Sequence, residues 1–332
     1  MPNPIIAGAS FAPGLKTEFL RTYYRQYDGI REELARVMRL GIPSDKDQER
    51  YFFWESAPHI KRWIRGTAMS SKAFRGITYT AINYEWAREV EWHFADEQDD
   101  QTKSLVDQAR SLGTSFAILE ERVYFQILTG STDFDLLPTV PTAPDGQNLF
   151  STTSDGSTAR FGATSGNSLT GTGTSQSQLE TDFFSVMAQF KLFQDTEGQP
   201  LWDKRTLDSP VTIMYAANGT LEQNFASVFE REITHSVQSS TGAGVSNVIK
   251  AKGYVVRLVS TQRLTGNSWY ATLEGVDVKP VFSQLRQSPA ELNADFPNSD
   301  ATRKTGFKGM GFYGRYGFGV SVPYASIKVT NA

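Results

Sequence analysis

From Leu15 onward, Phe19, Tyr23, Tyr27, Ile30, Leu34 and Val37 recur every three or four residues. That spacing puts them on one face of a helix over Leu15–Leu40, with Arg21, Arg25, Arg31, Glu32 and Arg39 on its other sides. Gly41 and Pro43 are the expected stop signals. Ahead of it, residues 1–14 (MPNPIIAGASFAPG) carry Pro and Gly with no helical period and predict an extended arm. The apolar stripe needs a partner. Because breakers stand at both ends, the expected partner is another subunit.

The period then changes to two. Ile77, Tyr79 and Ala81 alternate with Thr78, Thr80 and Ile82, and Trp86, Val90, Trp92 and Phe94 continue the strand pattern. The segment Gly76–Phe94 predicts a β-hairpin, with its turn at Asn83 or alternatively near Lys72–Gly76. An acidic run, DEQDDQ (Asp96–Gln101), follows, and Asp99 or Asp100 is placed to cap a helix. Leu105, Ala109, Leu112, Phe116, Leu119, Val123 and Ile127 form a narrow seam at alternating four- and three-residue spacing. They predict one uninterrupted helix over Gln101–Thr129, about 28 residues and roughly 42 Å long. Gly130 ends it.

Residues 131–178 are loop-like, with Pro138, Pro141 and Pro144 leading into stretches of Gly, Ser, Thr, Asn and Gln. A helix over Gln178–Phe193 is next, its stripe being Leu179, Phe183, Val186, Met187 and Phe190. VTIMYA (Val211–Ala216) reads as a buried strand, Asn218-Gly219 as a turn and Leu221–Ile233 as a helix. Tyr254–Ser260 and Trp269–Val276 read as strands, and the Gly/aromatic tail as late strands packed on earlier ones.

Composition narrows the classes. A chain of 332 residues can bury a sizeable core, and its hydrophobic share of 39% suits an ordered protein with long connecting segments. A net charge of −3 gives no global basic field for nucleic acid. The absence of cysteine excludes disulfides and thiolate metal sites. The opening MPNPIIAGAS lacks the basic and apolar regions of a signal peptide, and no run of about 18 apolar residues exists to span a membrane.

Candidate chemistry is sparse. Gly309, Gly311 and Gly314 match GxGxxG, but no helix pattern and no acid follow, so a Gly-rich strand edge is expected. Glu97, Asp99 and Asp100 lack calcium-loop spacing, and helix capping explains them. His59, His93 and His235 fall on different elements and form neither a zinc site nor a triad; only His59 and His93 could meet, at the base of the hairpin. No catalytic, cofactor-binding or metal-binding set is expected. The local basic–aromatic cluster is Lys61, Arg62, Trp63 and Arg65, in PHIKRWIRG. Arg and Trp are typical interface anchors, so contact with an acidic patch on a neighbouring subunit is the preferred reading. DNA phosphate and a solvated face are the alternatives.

The segments RWIRG, ITYTAINYEWAREVEW, DEQDDQ with its long helix, and APDGQNLFSTT together resemble the major head protein of Mu-like tailed bacteriophages. VKPVFSQLRQSPAEL (Val278–Leu292) and the tail GFYGRYGFGVSVPYASIKV carry the resemblance further. It implies an α+β chain with the Hong Kong 97-type capsid fold. Residues 1–45 would be the N-terminal arm and 61–92 an extended loop. Residues 46–60, 93–209 and 276–318 would form the peripheral domain, with a spine helix over 101–129. Residues 210–275 and 319–332 would form the axial domain. Phe19, Tyr23, Tyr27, Ile30, Lys61, Arg62, Trp63, Arg65 and Trp86 are the expected inter-subunit contacts. The resemblance implies a structural subunit rather than an enzyme, one that assembles with itself as pentamers and hexamers into an icosahedral shell around double-stranded DNA held non-specifically. A scaffold or maturation protease, a portal at one vertex and a decoration protein are the further implied partners. Assembly would take place in the bacterial cytoplasm, with the virion as destination and no membrane involved. An encapsulin-like compartment shell is the alternative.

Overall fold

The computed structural model describes residues 11–56, 62–69, 75–93, 95, 104–133, 136–153, 159–195, 198–231, 233–234, 245–292 and 306–331. Lys61, His59, His235, the acidic cluster Glu97, Asp99 and Asp100, and the start of the helix expected at Gln101 lie outside them.

The chain opens with α1 (Phe11–Leu34), β1 (Met38–Pro43), β2 (Gln48–Ser56) and β3 (Arg75–His93). The helix ends before the expected Leu40, because Val37 and Met38, both buried, turn the chain into β1. β1 runs parallel to β10 (Val281–Leu292), and its register slips between Arg39 and Ile42. Gly41 sits in that slip at φ +65°, a conformation that favours glycine. The five strands order as β1–β10–β11–β3–β2, where β11 is Phe307–Val320. Asn83 is not a turn. It lies inside β3, whose first half pairs antiparallel with β2 (Gln48↔Ile82 to Ser56↔Arg75) and whose second half pairs with β11 (Gly317↔Asn83 to Phe307↔His93). The hairpin is therefore built from β2 and β3, and its connection spans residues 57–74.

The predicted spine is divided into α2 (Ser104–Ala117) and α3 (Leu119–Thr129) at Ile118. Hydrogen bonds of α-helical span continue through the joint, Ile118 N–H to the Thr114 carbonyl and Arg122 N–H to that of Ile118. Gly130 closes α3 in the left-handed conformation, as expected of a C-terminal glycine. The seam Leu105, Ala109, Leu112, Phe116, Leu119, Val123 and Ile127 is buried throughout. It joins α1, β3, β10 and β11 in the first core.

The second sheet orders as β4–β12–β9–β5–β8, with β4 Ser168–Thr170, β5 Val211–Ala216, β8 Val256–Thr261, β9 Trp269–Leu273 and β12 Ser326–Thr330. Between these strands lie α4 (Gln176–Leu192), α5 (Lys204–Leu207), α6 (Gly219–Phe229), the short pair β6 (Ile233–Thr234) and β7 (Val245–Ser246), and α7 (Val248–Ala251). α4 starts on a capping box of Ser175 and Gln178, and Asn218 caps α6, accepting from the Thr220 N–H. One face of this sheet (Val211, Ile213, Tyr215, Trp269, Ala271, Ile327) packs with α4 and α6 in a second core. The opposite face, through Met214, Ala216 and Tyr270, joins the first core. β5 is thus covered on both sides, which is why VTIMYA reads as an unbroken apolar run. The domain boundary expected at 209 does not match this packing. Ala163 and the α4 stripe from Leu179 to Phe190 belong to the second core.

Candidate functional site

Of the nine residues expected at subunit contacts, the eight that are described fall into unlike environments. Phe19 and Tyr23 are fully buried in their own subunit. The Phe19 ring stacks on Phe312 of β11 at 3.5 Å between centroids and meets Phe116 of α2 edge-on at 5.8 Å. Gly113 allows the approach of the two helices: a Cβ there would stand 2.6 Å from the Phe19 carbonyl oxygen. Tyr23 places its hydroxyl 3.1 Å from that of Tyr316 and stacks on Tyr27. Tyr27 and Ile30, half-buried, pack against the same core. Trp86 is buried on β3, donates its indole N–H to the Tyr316 carbonyl at 3.3 Å and meets Phe318 edge-on. The expectation that Phe19, Tyr23 and Trp86 face a neighbour is corrected accordingly. Their stripes find complementary apolar faces within the chain, and burial there satisfies them first.

Arg62, Trp63 and Arg65 are the opposite case. Every residue from Arg62 to Met69 is exposed, with Trp63 at 60%, Ile64 at 61% and Met69 at 73%. The segment is nonetheless shaped. Thr67 N–H donates to the Ile64 carbonyl at 3.1 Å, the Thr67 hydroxyl donates to the same oxygen at 2.7 Å, and Gly66 takes φ +91°. The Trp63 indole N–H closes the turn on the Thr67 carbonyl at 2.9 Å. A tight turn therefore presents one aromatic, two aliphatic and two guanidinium side chains to solvent. Such anchors dominate interface energies when a partner covers them.

A polar joint fixes the base of this ribbon. The Asn83 amide donates to Ser44 Oγ at 2.7 Å and to the Lys46 carbonyl at 2.6 Å, and the Gln284 amide donates to Asn83 Oδ1 at 2.9 Å. Tyr51 of β2 donates to Gln284 Oε1 at 2.8 Å. Asp47, in the β1–β2 connection, accepts from Arg286 and, at 2.8 Å, from Arg315; these bonds hold its carboxyl below the usual carboxylate range. Gly317 and Gly319 of β11 make this possible. A Cβ on either would strike Gln284 or Phe282, whose side chains cross β11 toward β3. The GxGxxG match is thus part of a central strand rather than the expected strand edge, and β11 continues to Val320, followed among the described residues by one 3-10 turn (Pro323–Ala325) and no α-helix.

A second joint escaped sequence reasoning altogether. Arg160, wholly buried, donates through Nε and Nη2 to the two carboxylate oxygens of Asp145 at 2.8 and 2.9 Å. Its Nη1 reaches the carbonyls of Asn148 and Leu149 and the side-chain oxygen of Asn167. Asn167 in turn donates to the carbonyls of Leu149, Pro323 and Ser326. The APDGQNLF segment is thereby a cradle for one guanidinium, and through Asn167 it is tied to Pro323 and to Ser326 at the start of β12. The available signal was its Asp-Gly turn beside a lone downstream Arg, which is weak without the fold. His93, by contrast, accepts from the Ala95 N–H at 3.3 Å through Nδ1, a local bond at the end of β3.

Among the described residues no group of three His, Asp or Glu side chains is assembled as a metal site, and no described helix is long and apolar enough to cross a membrane. The cavities are open. One of about 720 Å³ lies between α3 and the end of β8, and one of about 890 Å³ between β3 and α2.

Comparison with known proteins agrees with this geometry. The capsid protein of cyanophage P-SCSP1u superposes with a TM-score of 0.56 at 12% identity, covering 89% of this chain and 86% of that one. The capsid of an empty GTA particle gives 0.56 at 11% identity, covering 90% and 89%. Microbacterium phage Oxtober96 gives 0.51 at 11%, covering 90% of each. At such identities the likeness establishes the fold, which is the Hong Kong 97-type capsid fold. No curated protein sequence matches the chain. The family model of the Mu-like prophage major head subunit gpT matches residues 13–184, which run from α1 into the first half of α4. That span is just over half of the chain and includes the ribbon, the divided spine and the Arg160 cradle. The chain belongs to the Mu-like prophage major head subunit gpT family, a family of structural capsid proteins rather than enzymes.

Proposed function

We propose that this major head subunit assembles as pentamers and hexamers into an icosahedral shell, and that the β2–β3 ribbon is its clasp on a neighbouring copy. The observation that carries the clasp is the preformed tip. Trp63, Ile64 and Met69 are exposed in an ordered turn flanked by Arg62 and Arg65, while the ribbon's base is fixed by Asn83, Gln284 and Asp47. A rigid base with an uncovered apolar tip loses little conformational entropy on docking. Lys61, next in the sequence, is proposed as a further contact. Tyr27 and Ile30, half-exposed on α1, are proposed as secondary contacts. Double-stranded DNA is the proposed content, held without specific contacts, since a net charge of −3 offers no general attraction to phosphate. A scaffold or protease, a portal and a decoration protein are proposed partners on the family resemblance alone, and the host cytoplasm is the proposed site of assembly.

The test replaces Trp63 and Arg65 together with Ala and images the purified protein. The expected result is folded subunits that form no closed shells. Normal shells from the double variant would exclude the tip as the clasp. Recovery of protein cargo instead of DNA from native shells would favour a compartment over a phage head.

A further inference from the structure

Glu120 is 2% exposed, on the first turn of α3, where α1, α3, β1, β10 and β11 converge. Its Oε1 accepts from the Ser283 hydroxyl of β10 at 2.5 Å, and that hydroxyl accepts from the Gly41 N–H of β1 at 2.9 Å. Its Oε2 is buried with no hydrogen-bond partner. Tyr23, Tyr27 and Arg31 of α1 and Tyr316 of β11 are the titratable neighbours that act on this carboxyl or feel its charge. None of them makes an ion pair with it; Arg31 lies over the Tyr27 ring, 6.0 Å from its centroid. An ionised carboxylate accepts several hydrogen bonds; here the Ser283 hydroxyl donates at 2.5 Å and the Tyr27 hydroxyl is a second, longer partner, with no cation paired to offset the charge. A neutral carboxylic acid fits the site far better than a carboxylate does.

We propose that Glu120 is a proton-sensitive latch on α1: neutral, it closes the joint between α1, α3 and β10, and ionised, it loosens α1 from the rest of the subunit. Burial raises the pKa of Glu120 in the docked state, against smaller lowering effects of Ser283, Tyr27 and Arg31. The docked state therefore binds the proton more tightly than the open one. Docking is strongest below the ordinary carboxylate range and weakens as pH rises toward the raised value. Asp47 has the opposite sign, since its carboxyl is held low by Arg286 and Arg315, and it acts on the β1–β2 connection. Only the use of such a latch, letting α1 shift against the core during shell formation, rests on the head-subunit reading. The latch itself is a property of the single subunit.

Hydrogen exchange of the α1 amides in unassembled subunits, corrected for intrinsic rates between pH 5.5 and 9, tests it. Wild-type α1 should open more often by up to about tenfold per pH unit, the slope for one linked proton. Glu120→Gln, which keeps an acceptor for Ser283 without a charge, should show no slope. An α1 opening equilibrium independent of pH in the wild type, or the same slope in both proteins, overturns the proposal. Should the Gln variant fail to fold, the wild-type infrared spectrum decides: a carboxylic-acid C=O band persisting in the folded subunit above the ordinary carboxylate range is expected, and its absence overturns the latch. Assembly plays no part in either readout, so failure here is distinct from failure of the ribbon clasp.

Discussion

The α1 stripe and the ribbon tip carry the same kinds of residue, aromatic and branched side chains beside arginines, yet one lies within the subunit and the other outside it. Phe19, at 0% exposure, packs on Phe312 and Phe116 with its carbonyl against Gly113; Trp63, at 60%, donates its indole N–H to Thr67 within its own turn. An apolar stripe states that a partner is required. It does not state whose chain supplies it. What separates the two cases is the availability of a complementary face nearby. α1 has the seam of α2 and the even-numbered side of β11 within reach, whereas residues 62–69 lie between β2 and β3, beyond the last pair Ser56↔Arg75, with no further strand or helix among the described residues there.

Removing residues 1–34 attacks this contrast most severely. It strips Leu15, Phe19, Tyr23 and Leu34 from the first core, and the truncated subunit is expected to show no cooperative melt. A soluble, cooperatively folded truncation would return α1 to the role of a free arm. Phe19→Ala is a milder version, expected to lower stability by about 3–5 kcal/mol, the range for a buried phenylalanine. Denaturant unfolding of the unassembled subunit measures it, and an unchanged midpoint would mean that the ring is not held by its own chain. Gly113→Ala forces α1 and α2 apart at their closest approach and should cost about 1–3 kcal/mol, as overpacking does. The Trp63→Ala, Arg65→Ala double variant stands at the other end. Its melting of the free subunit should stay within about 0.5 kcal/mol of wild type, as for surface positions. A large loss of stability there would show that the tip, like α1, belongs to its own fold.

Much of the secondary structure was legible because periodicity records which side of an element meets apolar surroundings. The α1 and α4 stripes, the spine seam and VTIMYA each reported their burial correctly. Positions that depend on another element were not legible. Asn83 is a sound turn residue by composition, but Ser44, Lys46 and Gln284 supply its hydrogen bonds, so it stays inside a strand. The helix expected to Leu40 stops at Leu34 because β10, more than 240 residues away, offers a parallel ladder to Met38. The spine divides at Ile118 although its seam spacing continues without a break.

The sequence by itself determined the order of elements, the faces that must leave water, and an arginine-rich aromatic segment with no local partner. Those follow from side-chain spacing and transfer free energy, which act over a few residues. Only the tertiary structure decided that Trp86 faces Tyr316 rather than a neighbour, that Arg160 and Asp145 share one buried cradle, and that Glu120 is closed in beneath α1. Each of these depends on which distant segments meet. Burial of a polar group is tolerated only where that meeting supplies its hydrogen bonds, so the outcome belongs to the packed chain.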